Sequence, residues 1–314
     1  MVAERAFTRG LARFFQPPPG RGALGIGDDA AVVSNRGART VVACDPVVEG
    51  VHFAPDAPLR LVGRKAVFRN LADLAAMGAV FDYAVVSVLW PSRRPARQLR
   101  ALMCAVRDAV EGHGGYVVGG DTGSTPGPLT VTVTALGHLR GRPLCRSGAR
   151  AGDVLFVSAP LGGAILGHHL RFEPPLALGQ RLARRRDVTA AIDVSDGLSL
   201  DLHTLLCASS SAAGRALCAD LMAARIPVSA AARRLARTSG QSALQHALGD
   251  GEDHALLYAV RPGRRSASLP RHAIGVVRAC ARGEAAGTVF LCAPGGAREA
   301  VAAGYEHVLG GDSG

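Results

Sequence analysis

Carboxylates set beside glycine at the ends of apolar runs are the chemistry this sequence offers most often. Six segments carry them: GIGDDAAVV (Gly25–Val33), VVACDPVVEGVHF (Val41–Phe53), NLADLAAMGA (Asn70–Ala79), VVGGDTGS (Val117–Ser124), AIDVSDGL (Ala191–Leu198) and GDGEDHALL (Gly249–Leu257). An Asp that leaves a strand into a Gly turn adds little to solubility and is well placed to hold a cation. Oxygen ligands offered from several loops suit Mg2+, which keeps waters and takes carboxylates together with substrate phosphates. The pattern points to phosphate chemistry. No GxxxxGK[ST] motif occurs anywhere, which sets aside the common P-loop NTPases.

Each segment also has a plainer explanation. Asp28 and Asp29 sit in extended chain, where neighbours point opposite ways, so one can face a metal while the other caps or pairs; taken alone, an Asx turn entering a strand is the better account. Asp45 follows Val41–Cys44, and a strand-end acid with His52 nearby can hold a cation and a phosphate together. Asp73 falls late on a helix among Leu71, Leu74, Ala75, Ala76 and Met77, with Asn70 one turn earlier and Lys65 close to the same face. A buried acid there demands a partner, whether a metal, a Lys or an Arg. Gly120 and Asp121 end an apolar strand, where glycine admits phosphate oxygens close to the backbone. Asp193, Ser195 and Asp196 surround a helix start that favours anions. An N-cap accounts for one of those three and not for all. Glu252 lies in a short acidic turn, weak evidence by itself.

The elements that must position these groups read as two mixed α/β units. Apolar runs at Ala30–Val33 and Thr40–Ala43 precede a helix over Leu59–Met77, a strand over Tyr83–Leu89, a helix over Ala96–Gly112 and strands at Tyr116–Val118 and Leu129–Leu136. Residues 4–15 read as a short amphipathic helix. The Gly/Arg-rich stretch Arg140–Asp153 is the boundary, dividing the chain into residues 1–140 and 141–314. Beyond it come a strand at Val154–Ser158, a helix start at Gly162–Leu170, a strand at Ala190–Val194 and a helix over Ser195–Ala208 that Asp193 and Ser195 help begin. A helical Ala/Arg-rich stretch follows (Ala212–Leu248, broken at Pro227), then strands at Ala255–Val260, Ala273–Val277 and Thr288–Cys292.

Thirty-six bases against 25 acids give a net charge of +11, which invites a nucleic-acid reading. The bases are scattered Arg with little aromatic interleaving, and Lys65 is the sole lysine, so a compositional bias giving a solvated basic surface is the better account, with attraction for anionic substrates as a secondary consequence. Seven scattered cysteines without a CxxC pair suggest free thiols in a reducing cytoplasm. The N-terminus has no apolar stretch of signal-peptide type, and no apolar run is long enough to span a bilayer.

In order and spacing, GIGDDAAVV, DPVVEGVHF, NLADLAAMGA, VVGGDTGS, CRSGARAGD, AIDVSDGL and GEDHALL resemble the thiamine-monophosphate kinase family, from about Glu4 to His307. NLADLAAMGA and the Asp-x-Ser-Asp-Gly-Leu element are shared more loosely across the aminoimidazole ribonucleotide synthetase superfamily. The resemblance implies a two-domain α+β/α/β fold, each domain a mixed sheet with helices on one face, and a homodimer through the N-terminal halves. It implies transfer of the γ-phosphoryl of ATP to thiamine monophosphate, assisted by several Mg2+ ions. By motif position Asp29, Asp45, Asp73, Asp121, Asp193 and Asp196 are the metal carboxylates, with Asp121 and Asp196 catalytic. Gly120, Asp121, Arg146 and Ser195 line the ATP phosphates. His52 and Glu252 contact the thiamine phosphate, and Tyr305 matches the aromatic that stacks on the substrate ring.

The chain departs from the family in places. Ala43-Cys44 stands before Asp45 where the family has hydroxyl residues, and a thiol is a poor Mg2+ ligand. The family's Pro-Arg after the second-domain helix is here Pro175-Leu176, GEDYEL has become GEDHAL, and Val308 replaces the last aromatic. A superfamily paralogue acting on another small phosphorylated or carboxylated substrate is thus an alternative, as is a nucleotide-binding protein that has lost turnover. Selenophosphate synthetases and the hydrogenase-maturation relatives are disfavoured, since the chain lacks an N-terminal Cys–Lys pair and a terminal Cys.

Overall fold

The structure, a computed structural model, describes residues 2–3, 28–35, 38–263, 272–301 and 308–309. The helix read over 4–15 and Tyr305 lie outside the described residues. After the two-residue β1 (Val2–Ala3), the first sheet is built from β2 (Ala31–Asn35), β3 (Ala38–Val48), β4 (Val80–Pro91), β5 (Tyr116–Thr125) and β6 (Thr130–His138). Its order is β2-β3-β6-β4-β5, antiparallel except for the parallel β4–β5 pair.

Two helices, α1 (Leu59–Ala76) and α2 (Ala96–Glu111), cover one face. Period-two alternation sends Val131, Val133 and Ala135 of β6 and Ala84, Val86 and Val88 of β4 into the core beneath them. The other face is open and carries exposed Tyr83, Val85 and Leu89. Pro58 precedes the first turn of α1, where an N–H would lack a partner anyway, and Gly78 at φ +71° closes the far end.

The second sheet runs β13-β12-β9-β11-β7-β10-β8, with only β12–β9 parallel. In chain order its strands are β7 (Val154–Val157), β8 (Val188–Val194), β9 (Leu217–Met222), β10 (Ala255–Val260), β11 (His272–Ala279), β12 (Val289–Cys292) and β13 (Arg298–Ala300). Helix α3 (Leu176–Ala183) lies against one face. Helices α4 (Leu198–Ala213) and α6 (Ala243–Gly249) lie against the other, with the short α5 (Ala230–Leu235) beside α6. The end of α1 enters the second unit: Ala75 and Ala76 share a core with Leu144, Leu182, Ala191, Leu256 and Tyr258. A last two-residue strand, β14 (Val308–Leu309), pairs with β1.

Four local expectations change. Gly163 and Gly167, at φ +72° and +121°, break the helix expected at Gly162–Leu170 into two 3-10 turns. The Ala/Arg-rich stretch holds the buried strand β9 instead of continuous helix. β5 does not stop at Val118 but runs through the Gly-Gly-Asp-Thr segment to Thr125. Antiparallel pairing of β9 with β11 joins Cys218 to Cys280 as a disulfide, correcting the expectation of seven free thiols; the other five cysteines are free. Among the described residues no helix is long and apolar enough to cross a membrane.

Candidate active site

Three of the carboxylates singled out by motif converge. One oxygen each from Asp29 (ahead of β2), Asp73 (on α1) and Asp193 (near the end of β8) lie within 4.8 Å of one another. Arg146 holds Asp29 through two parallel bonds of 3.2 and 3.0 Å, and its backbone N–H donates to Asp28 at 2.6 Å. Burial raises the Asp29 carboxyl to about 6, against the pull of Arg146 and with the push of Asp193. Burial raises Asp73 well above the usual range, and the charges of Asp45, Asp193 and Asp29 add to it. Asp193 goes the other way. Burial pushes it up, but the hydrogen bond and charge of His254, with Arg146, outweigh that and leave it ionised. Three carboxylates facing one another, Asp193 buried and the other two partly so, with Arg146 as the one direct guanidinium partner among the described residues, form a set of oxygen donors short of positive charge. That set fits a hard divalent cation such as Mg2+.

Beside the cluster opens a cavity of about 850 Å³ lined by His52, Lys65, Arg69, Ser195, Asp196, Glu252 and His254 among others. Its charged wall comes from α1, where Lys65, Arg69 and Asp73 recur every fourth residue and so share one side of the helix. Lys65 is 1% exposed; its Nζ donates to the His52 carbonyl at 2.7 Å and pairs with Glu252 at 2.8 Å. Burial lowers the Lys65 ammonium, and Glu252 opposes that. The His52 ring accepts the Val48 N–H at 3.0 Å. Glu252 is pushed up by burial but carried far below the usual carboxylate range by His254, Lys65 and Arg69.

Two loops interlock to hold these groups. Glu252 and His254 adopt left-handed backbone, φ +57° and +48°, a cost that non-glycine residues seldom bear outside functional sites. Their N–H groups donate to the carbonyls of Ser195 and Val194 at 2.7 and 2.8 Å. Gly251 makes the approach possible, because a Cβ there would lie 2.6 Å from the Ser195 oxygen. On the other loop the helix start expected from Asp193 and Ser195 is organised instead by buried Asp201, whose carboxylate accepts the N–H groups of Ser195 and Asp196 at 3.0 Å each. Asp201→Ala removes both acceptors, and the expected cost is about 2 kcal/mol of stability with weakened nucleotide binding. Chemical denaturation checks this; unchanged stability and affinity would remove Asp201 from this role.

Not every motif residue joins the cluster. Asp45 lies within β3, facing the helices like Val41 and Ala43; its N–H donates to the Asn70 Oδ1 at 2.9 Å and its carboxylate pairs with Arg69 at 3.5 Å. Asp196 and Ser195 line the cavity. Asp121 is exposed on the edge strand β5 and pairs in register with Ser87, so it shares the open face of the sheet. Its carboxylate accepts the Thr122 N–H. Gly120 is required by the strand itself, since a Cβ there would collide with the Val86 carbonyl oxygen. Sequence reasoning missed Arg69 and Asp201 and placed Lys65 beside Asp73 instead of Glu252. The spacing of Lys65, Arg69 and Asp73 at every fourth residue of the helix was the available signal for Arg69 and Lys65.

Residues 27–139 match the family of the AIR synthase related protein, N-terminal domain. A thiamine-monophosphate kinase of Rhodopirellula baltica is 39% identical over 266 residues, covering 82% of this chain and 81% of its own length. The Escherichia coli K12 thiamine-monophosphate kinase is 34% identical over 268 residues, covering 78% of each. Among solved structures, the AaThiL complex with AMPPCP and TMP superposes with a TM-score of 0.81 at 24% identity, covering 98% of this chain and 97% of that one, a likeness of fold. Thiamine-monophosphate kinase from Stenotrophomonas maltophilia K279a gives 0.68 at 30% identity, covering 93% and 95%. With such identity along four-fifths of its length, this chain belongs to the thiamine-monophosphate kinase family.

Proposed function

We propose that this chain transfers the γ-phosphoryl group of ATP to the phosphate of thiamine monophosphate, releasing ADP and thiamine diphosphate. The observation that carries this reading is the Asp29–Asp73–Asp193 triad opening beside a cavity whose wall presents His52, Lys65, Arg69 and Glu252. Relatives bearing the activity in their names support it. An acceptor phosphate oxygen attacks the γ-phosphorus and the bond to the β,γ-bridging oxygen breaks. The acceptor is already anionic, so no strong base is needed, and the catalytic work is bringing two anions into line.

Asp29, Asp73 and Asp193 would hold Mg2+, which when bound neutralises phosphate oxygens and orients the polyphosphate. Arg146 and Ser195, adjoining that cluster, serve the ATP phosphates. Asp196 lies across the same opening. His52 and Glu252 serve the thiamine phosphate, and Tyr305 stacks on the substrate ring. Lys65 fixes the carbonyl of His52 and the carboxylate of Glu252 at once, so the acceptor side arrives preorganised.

Residues 1–140 are read as the unit for metal and ATP binding and dimerisation, and 141–314 as the second α/β unit. The open face of the first sheet supports a homodimer, because Tyr83, Val85, Leu89, Tyr116 and Val118 leave an apolar patch in water. Gly120 and Asp121 stand at its edge, where a second copy could meet them. Leu89→Arg is expected to convert a dimer to monomers by light scattering coupled to gel filtration, and an unchanged mass would argue for another interface. ATP as co-substrate fits the cytoplasm.

Incubation with ATP, Mg2+ and thiamine monophosphate, followed by chromatography, is the test. ADP and thiamine diphosphate appearing in equal amounts, and disappearing with EDTA, is the expected result. ADP formed without thiamine diphosphate would shift the assignment to another acceptor.

A further inference from the structure

We propose that the guanidinium of Arg69 serves as a fixed cation at Asp45, taking a position that a divalent ion would otherwise fill. The proposal deepens the phosphoryl-transfer reading and rests on it. Asp45 is preceded by Ala43 and Cys44, whose side chains bring no oxygen to a metal. The Cys44 sulfur instead accepts a bond from the Thr134 hydroxyl at 3.2 Å. The three carboxylates that do gather within 4.8 Å leave Asp45 out.

Arg69 occupies the gap between Asp45 and the acceptor side. Its two terminal nitrogens reach Asp45 at 3.5 Å and Glu252 at 3.8 Å. Both contacts are long for charge-assisted bonds, which favour about 2.7–2.9 Å, so the guanidinium is held between two carboxylates without being spent on either. Its Nε is buried and, among the described residues, meets no acceptor. The side chain is 17% exposed and lines the cavity together with Lys65, His52 and Glu252. A planar group with five N–H donors, most of them uncommitted, is suited to phosphate oxygens. It therefore does the two things asked of a bridging cation: it neutralises Asp45 and presents positive charge where donor and acceptor phosphates meet.

The stand-in is read by counting bound Mn2+ per chain, by equilibrium dialysis with electron paramagnetic resonance, in the presence of a non-hydrolysable ATP analogue. Wild type and Asp45→Asn are expected to bind equal numbers of ions. Arg69→Ala is expected to bind one more than wild type, an ion lost again in the Arg69→Ala/Asp45→Asn double variant. Arg69→Lys should keep the wild-type count. Turnover of Arg69→Ala should fall about a hundredfold. Loss of one Mn2+ in Asp45→Asn would overturn the proposal by making Asp45 an ordinary ligand. That comparison uses an isosteric change and stands even if Arg69→Ala fails to fold. An unaltered count in folded Arg69→Ala would also overturn it. If wild type binds no Mn2+ at all, the metal reading of the site falls and the stand-in falls with it.

Discussion

An Asp73→Asn variant should lose phosphoryl transfer by roughly a thousandfold or more while its metal-free form melts later than the parent. The two effects have one origin. Asp73 is held among Asp29, Asp193 and Asp45 with its carboxyl raised well above the usual range by burial and by those neighbours. Without a cation, ionising it works against folding. A carboxyl whose folded value exceeds its unfolded one contributes stability at pH below the unfolded value, here 3.8, and loses that contribution as pH climbs through the folded value. Asp29, at about 6, sets the visible part of the window. The metal-free protein should therefore lose stability from about pH 4 to pH 7, and Mg2+ should restore it most at the upper end. Asn at position 73 removes one charge and flattens that slope. Melting curves at pH 5 and 7.5, with EDTA or with Mg2+, check this; an unchanged pH slope in Asp73→Asn would mean that the carboxylates do not repel one another as the geometry requires.

Lys65→Met should reduce kcat/KM for thiamine monophosphate by about a hundredfold or more and leave affinity for an ATP analogue within about twofold. The ammonium links the His52 carbonyl to the Glu252 carboxylate, and it is almost wholly out of water. Removing it leaves Glu252 leaning on His254 and on distant Arg69, so a stability loss of about 3 kcal/mol accompanies the kinetic effect. Arg in its place should not rescue, because a forked guanidinium is bulkier than the buried ammonium it would replace. Steady-state kinetics for each substrate separates the outcomes. A matching loss of ATP-analogue binding would make Lys65 a prop of the whole cleft instead of a residue of the acceptor side.

Much of this was legible in the sequence, for identifiable reasons. Period-two alternation marked β4 and β6, and the helical reading over Leu59–Met77 matched α1 almost to the residue. Asp73 stood out because apolar neighbours make an unpartnered acid costly, Asp29 and Asp193 because each lies in a Gly-flanked acidic motif at the end of an apolar run. What stayed hidden depends on pairing between distant strands. β9 escaped because six residues of Leu-Cys-Ala-Asp-Leu-Met inside an Ala/Arg-rich stretch carry too little pattern to outvote helix propensity. Asp121 looked like a turn residue because glycines surround it, yet Gly120 serves a tight approach of β5 to β4 and the strand simply continues. The Glu252 partners come from a helix far earlier in the chain, and no local pattern predicts which of many arginines meets which acid.

Ala75 and Ala76 close α1 inside the seam that joins the two sheets, just past Asp73 and two turns beyond Arg69. The same rod thus carries the acceptor wall, the cation ligand and the mortar between the halves. Heat cannot loosen one half without exposing the methyl groups that the other half covers. The chain should consequently come apart in a single cooperative event, with substrate recognition and global integrity failing at the same temperature.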